Sequence, residues 1–96
     1  MKKIKIIAKV GKVYAPKKIN VFINNLDNDL YDKYYESQKS FDQEFEASSG
    51  NYIIHVLGMN QTDDKTTVTV SGDFVLAATK SSNKGSYVMV FIGNVN

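Results

Sequence analysis

The residue types that could carry chemistry in this chain are few, and each sits in a pattern with an ordinary structural use. His55 is the only histidine and the first candidate for acid-base work. If Ser49 and Gly50 form a two-residue connection, the register sets His55 opposite Glu44, and a cross-strand His–Glu contact supports a sheet rather than a reaction. A hydrolytic triad would need a serine and a carboxylate converging on the imidazole, and no nucleophile-elbow pattern is present. Asp27, Asp29 and Asp32, beside Asn24, Asn25 and Asn28, are hard oxygen ligands of the kind calcium takes. They lack the glycine turn and distant glutamate of an EF-hand, so a solvated turn is the preferred reading. Tyr31, Tyr34 and Tyr35 form the densest aromatic group. Tyr31 and Tyr35, next to the Asn/Asp loop, are the candidates for glycan binding, because tyrosine joins an apolar ring face to a polar tip. No glycine-rich phosphate loop occurs. The expectation is a noncatalytic protein with no cofactor and no metal site.

Charge narrows the partners. All 12 basic residues are lysine and seven lie within the first eighteen positions, whereas Asp27, Asp29, Asp32, Glu36, Asp42, Glu44 and Glu46 follow in the middle, so the net +2 hides a basic front and an acidic centre. A lysine strip can meet phosphates, but without arginine the bidentate donor favoured for phosphate and guanine is missing, which argues against nucleic acid. With 0 cysteines, disulfides and thiolate chemistry are excluded and the compartment is left open. Lys5, Lys9 and Lys12 interrupt every apolar run near the amino terminus, so no signal-peptide core is expected there, and no run reaches membrane-spanning length. A soluble chain is expected, intracellular or the mature part of an exported protein. With 96 residues, 43% of them hydrophobic and 23% charged, residues 1–96 are read as one domain.

The elements that must position these residues are strands. Ile4, Ile6, Ala8 and Val10 alternate with Lys3, Lys5, Ile7 and Lys9, a half-buried strand whose lysines suit a sheet edge. Ile19, Val21 and Ile23 alternate with Asn20, Phe22 and Asn24 after the break at Pro16. Leu30 to Ser37 is read as a short strand. In the central stretch Phe41, Gln43, Phe45 and Ala47 alternate with acids, then Tyr52, Ile54 and Val56 alternate with Ile53, His55 and Leu57. As a hairpin this pairs Ala47 with Tyr52 and Phe45 with Ile54; as strands of opposing sheets it sends the same side chains inward. Thr66, Val68 and Val70 line one face of a further strand, ended near Gly72-Asp73. Phe74–Thr79 and Ser86–Ile92 are read as a last hairpin with Thr79 opposite Ser86. It groups Phe74, Leu76, Ala78, Tyr87, Met89 and Phe91 inward and leaves Val75, Ala77, Val88, Val90 and Ile92 as a second apolar face. Antiparallel sheets ordinarily wet one face, so that second face is the candidate surface for a protein partner or a second copy. Seven to eight strands at these intervals indicate an all-β antiparallel sandwich.

Phe41, Phe45, Gly50, Tyr52, Ile54, Val56 and Gly58 follow the spacing F-x-x-x-F-x-x-x-x-G-x-Y-x-I-x-V-x-G. It resembles the paired strands of immunoglobulin-like and transthyretin-like (prealbumin-like) sandwich modules over about a quarter of the chain. The resemblance implies a noncatalytic structural or protein-binding module of a bacterial cell-envelope or extracellular system, with a small carbohydrate-binding domain as the alternative. The Cys-Trp-Cys constellation of antibody domains is missing, so immune-type recognition is not implied. No functional residue of such families carries over.

Overall fold

The alternation of Ile4, Ile6, Ala8 and Val10 with lysine extends Lys2–Val10 as strand β1 in the computed structural model, which describes residues 2–96. Eight more strands follow: β2 (Ile19–Asn25), β3 (Lys33–Ser37), β4 (Phe41–Ala47), β5 (Gly50–Met59), β6 (Thr66–Gly72), β7 (Phe74–Val75), β8 (Ala78–Ser82) and β9 (Ser86–Val95). A single turn of 3-10 helix at Asp29–Tyr31 precedes β3, and there is no α-helix among the described residues. The strands form a four-stranded sheet, ordered β4-β1-β6-β8, and a five-stranded sheet, ordered β3-β2-β5-β9-β7. Every ladder is antiparallel.

The two sheets meet in one core, to which each strand gives its alternate residues. Ile4, Ile6, Ala8, Ala47, Val68 and Val70 come from the four-stranded sheet; Val21, Ile23, Tyr52, Ile54, Val56, Met89 and Phe91 come from the other. Burying each large aliphatic or aromatic side chain contributes about 1.5–3 kcal/mol, which is what makes the period-two pattern decide the fold. Tyr35, Phe41 and Phe45 close one margin: the Tyr35 ring centroid lies 4.9 Å from that of Phe41 and 5.7 Å from that of Phe45.

Pairing departs from the expected hairpins and edge at three places. β4 and β5 do not pair but lie in opposing sheets, the second of the two arrangements that the alternation allows. β4 lies beside β1, with Phe45 opposite Ile4 and Glu44 opposite Lys5, while β5 runs between β2 and β9 in the other sheet. The chain crosses between sheets at Ser48-Ser49, and the inward residues are the same as in a hairpin. His55 therefore faces Phe22 and Val90 across the ladder, not Glu44. β1 is central rather than an edge, because the acids of β4 on one side and the threonines of β6 on the other receive its lysines.

The third difference lies between residues 72 and 82, where one expected strand splits, raising the count to nine. Gly72 has φ +82, and a Cβ there would stand 2.7 Å from the Lys3 carbonyl oxygen, so only glycine turns the chain this tightly. Leu76 follows at φ +71 and is 75% exposed, which ends the alternation after β7. β7 then pairs with the end of β9, Phe74 opposite Val95, while β8 pairs with β6, Thr79 opposite Thr69. Leu76 is accordingly not inward, and Thr79 does not meet Ser86. Residues 30 and 31 likewise leave the expected strand, because Asn28 caps the 3-10 turn, its side chain accepting from the Leu30 N–H at 3.1 Å.

Two buried polar atoms, the Tyr87 hydroxyl and Asn94 Oδ1, are left over among the described residues. The Tyr87 hydroxyl is enclosed without a hydrogen bond of acceptable geometry, and the neighbouring Thr66 Oγ1 spends its own proton on Asn60 Oδ1 at 2.6 Å. Burial pushes the phenol pKa up. An unpaired buried hydroxyl costs about 1–3 kcal/mol. Tyr87→Phe is therefore expected to raise stability by about 1 kcal/mol in urea unfolding; a loss of similar size would show that the hydroxyl is satisfied.

Candidate functional site

The outer faces of the two sheets have opposite chemistry. On the four-stranded sheet, cross-strand neighbours read Glu46–Lys3, Glu44–Lys5–Ser71, Asp42–Ile7–Thr69–Thr79 and Lys9–Thr67–Ser81. Lys5 Nζ lies 3.7 Å from Asp42 Oδ2, and Thr69 Oγ1 and Thr79 Oγ1 are 2.9 Å apart. Part of the basic front is thus laid against the acidic centre of the sequence, with Lys3 and Lys5 opposite Glu46 and Glu44, while Lys9 lies beside Thr67.

On the five-stranded sheet the corresponding rows are Glu36–Asn20–Leu57–Val88, Tyr34–Phe22–His55–Val90 and Asn24–Ile53–Ile92. Val88 is 62% exposed, Ile92 68%, Tyr34 52% and Phe22 40%. Exposed Leu26, Val75 and Leu76 prolong the patch beyond Ile92, where they border a shallow depression of about 400 Å³ with Asn51 and Asn94. A contiguous apolar surface of this kind marks an interaction site far more often than scattered single residues do.

One corner of this face is held rigid by polar contacts. The Phe22 and Tyr34 rings pack at a tilt of 50° with centroids 4.9 Å apart. The Tyr34 hydroxyl is 2.6 Å from Asn20 Oδ1 and 2.8 Å from Glu36 Oε2, and Lys18 Nζ donates to Glu36 Oε1 at 2.9 Å. The bond from Lys18, then that from Tyr34, hold the Glu36 carboxyl below the usual carboxylate range, and the same contacts raise Lys18 and Tyr34. A depressed carboxyl favours the folded state above its unfolded pKa and loses that contribution as pH falls through the lowered value. Because all three groups are solvent-exposed, the effect orients the aromatic pair more than it stabilises the fold.

Of the partner-binding candidates, Val75, Val88, Val90 and Ile92 share this outer face, whereas Ala77 lies in the connection to β8 beyond the break at Leu76. His55 stands at the centre of the face among Phe22, Val90, Ile53 and Leu57, with no carboxylate opposite it. Tyr31 sits in the 3-10 turn, and Tyr35 packs on Phe41 and Phe45, so the two do not form a common platform. The Asn/Asp loop is occupied with its own backbone. Buried Asn25 accepts from the N–H groups of Asp27 and Asn28 at 2.8 and 3.0 Å, Asp32 accepts from the Asn25 N–H at 2.9 Å, and Asp27 accepts from the Asn51 N–H at 2.8 Å. Among the described residues no three His, Cys, Asp or Glu side chains are grouped to hold a metal ion, and no helix is long and apolar enough to cross a membrane.

Phe22, Leu26, Ile53 and Leu57 are not among the sequence candidates and Leu76 is expected inward, although β2, β5 and β9 each turn at least one large apolar residue outward. That coincidence across three neighbouring strands was the available signal. No protein-family model, curated protein or solved structure matches the chain. The site is therefore defined by its own surface: a two-sheet antiparallel protein with one polar and one apolar outer face.

Proposed function

We propose that the protein is a noncatalytic protein-binding module that docks its partner on the outer face of the five-stranded sheet. The observation that carries this reading is the contrast between the two outer faces. The outer face of the four-stranded sheet is polar apart from Ile7, whereas the five-stranded sheet places Phe22, Val88, Val90 and Ile92 at equivalent positions. His55 has no nucleophile or acid across from it, which supports a noncatalytic role. The carbohydrate alternative has less support, because Tyr35 is engaged with Phe41 and Phe45 and Tyr31 lies apart from it.

The immunoglobulin-like type is supported by strand order. If β1 to β5 are taken as strands B, C, C′, E and F and β9 as G, the β4-β1 pair and the β3-β2-β5-β9 order match the B–E and C′–C–F–G neighbours of such sandwiches. β6 then occupies the place of the first strand, reached from later in the chain. The Tyr52 hydroxyl, near the start of β5, hydrogen-bonds the Ser48 backbone just upstream, as the corner tyrosine of immunoglobulin domains does.

Site-specific photocrosslinking in the cells that make the protein tests the docking face. A benzophenone amino acid at Ile92 or Val88 is expected to give a discrete protein adduct, and the same group at Thr69 none. Adducts from Thr69 alone, or from no position, would overturn the reading.

A further inference from the structure

The docking face ends on an open sheet edge. β7 covers β9 only at Asn94 and Val95, so from Ser86 to Gly93 one side of β9 has no neighbouring strand. The Val90 carbonyl points to that side, because Lys80 Nζ donates to it from β8 of the other sheet. With a period of two along the strand, the N–H and C=O groups of Val88, Val90 and Ile92 all face the opening, while the intervening residues bond β5. Three donors and three acceptors at a repeat of about 7 Å fit only an extended chain.

The groove beside this edge has a definite charge. It holds about 350 Å³ between β8 and β9, and Lys80, Ser81, Lys84, Ser86, Val88 and Val90 line it. Lys65 borders an adjoining depression with Ser81 and Lys84. No carboxylate lines either hollow, and among the described residues these three lysines form no ion pair. Lys80 is the telling one. It lies opposite buried Val68 in the β6-β8 ladder, so it points inward at the margin of the sandwich, where its ammonium also sits 5.3 Å from the Phe91 ring centroid. An inward lysine keeps an empty edge from pairing indiscriminately. It also sets a condition for pairing, since an arriving strand displaces the ammonium from Val90 and must offer it a carboxylate.

We propose that β9 accepts an added strand: an extended segment of a partner protein, with carboxylates at alternate positions, pairs with Val88, Val90 and Ile92 and sets its acids against Lys80 and Lys84. The proposal rests on the docking reading above and specifies its partner. The other side of the added strand continues the apolar face past Val88 and Ile92, so main-chain bonds supply affinity and the lysines supply selection.

Amide hydrogen exchange and NMR titration test it with two blocked nonapeptides, one alternating valine with glutamate and one alternating valine with lysine. The glutamate peptide is expected to slow exchange at Val88, Val90 and Ile92 at least tenfold, and the lysine peptide to leave it unchanged. Val90→Pro removes an edge N–H while sparing the bonds to β5, and is expected to weaken the glutamate peptide at least tenfold. Lys80→Glu, which does not touch the backbone, is expected to reverse the preference between the peptides. No protection by either peptide at about 1 mM would overturn the proposal. So would protection that rises with protein concentration alone, which would assign the edge to a second copy. Shifts confined to the outward methyl groups of Val88 and Ile92 would remove the added strand and keep the docking face. Conversely, edge protection without any adduct from Ile92 would remove the face and keep the strand.

Discussion

Tyr52→Ala is expected to lower the unfolding free energy by about 4 kcal/mol, the upper part of the range for truncating a buried aromatic. Tyr52 is the largest fully buried side chain, so its removal leaves a cavity between the sheets that the surrounding isoleucines and valines cannot fill. It also loses a clamp. The Tyr52 hydroxyl accepts from the Ser48 N–H at 3.1 Å and donates to the Ser48 carbonyl at 3.0 Å, holding the segment where the chain passes from one sheet to the other. Ser48 Oγ in turn accepts from Asn25 Nδ2 at 3.2 Å, so the clamp reaches the loop that ends β2. Tyr52→Phe keeps the ring and loses only the clamp, at an expected cost of about 1–2 kcal/mol. A domain of this size is stable by about 5–15 kcal/mol, so the alanine variant should shift the urea midpoint strongly with little change in slope. A loss below about 1 kcal/mol for the alanine variant would mean that the sheets do not pack around this ring.

Ile92→Asp is expected to leave the fold intact and to destroy partner binding. Ile92 is 68% exposed and its outward side chain touches no core layer, so the stability change should stay within about 0.5 kcal/mol. In a complex the new carboxylate would lie against apolar partner surface beside Ile53, without a compensating charge. Burying an unpaired charge is costly enough to weaken a complex about 100-fold or more, close to 2.7 kcal/mol. Thr69→Asp is the control on the polar sheet, a half-buried outward position opposite Ile7 and Thr79. It alters the 2.9 Å contact with Thr79, at an expected cost of about 1 kcal/mol, and should leave affinity unchanged.

Inward and outward positions were legible in the sequence because strand alternation is local. Ile4, Ile6, Ile54, Val56, Met89 and Phe91 are buried, as the pattern of each run requires. Which strand neighbours which was not legible, because pairing depends on contacts distant in sequence. Ser49-Gly50 carries a turn signal, yet the connection crosses between sheets, since β4 lies beside the lysines of β1 and β5 beside β2. His55 moved with that crossing from an acidic neighbour to an apolar one. The split at Leu76 was hidden for a different reason: Phe74 to Ala78 is an unbroken apolar run without a turn residue, and only a positive φ at a leucine breaks it. Four of the five partner-face candidates share a surface because β9 is one long strand that orders Val88, Val90 and Ile92 by itself, with Val75 brought beside it by β7. Phe22 and Tyr34 joined them only through the order of the sheet, which no single strand encodes.

The measurement that bears most directly on the docking face is the affinity of the partner recovered by crosslinking, determined by titration calorimetry against three proteins: the unaltered chain, Ile92→Asp and Thr69→Asp. If the partner docks on the apolar face, affinity should fall at least 100-fold for Ile92→Asp and stay within about twofold for Thr69→Asp. Equal affinities for all three, or a loss confined to Thr69→Asp, would contradict the assignment of function to the apolar face of the five-stranded sheet.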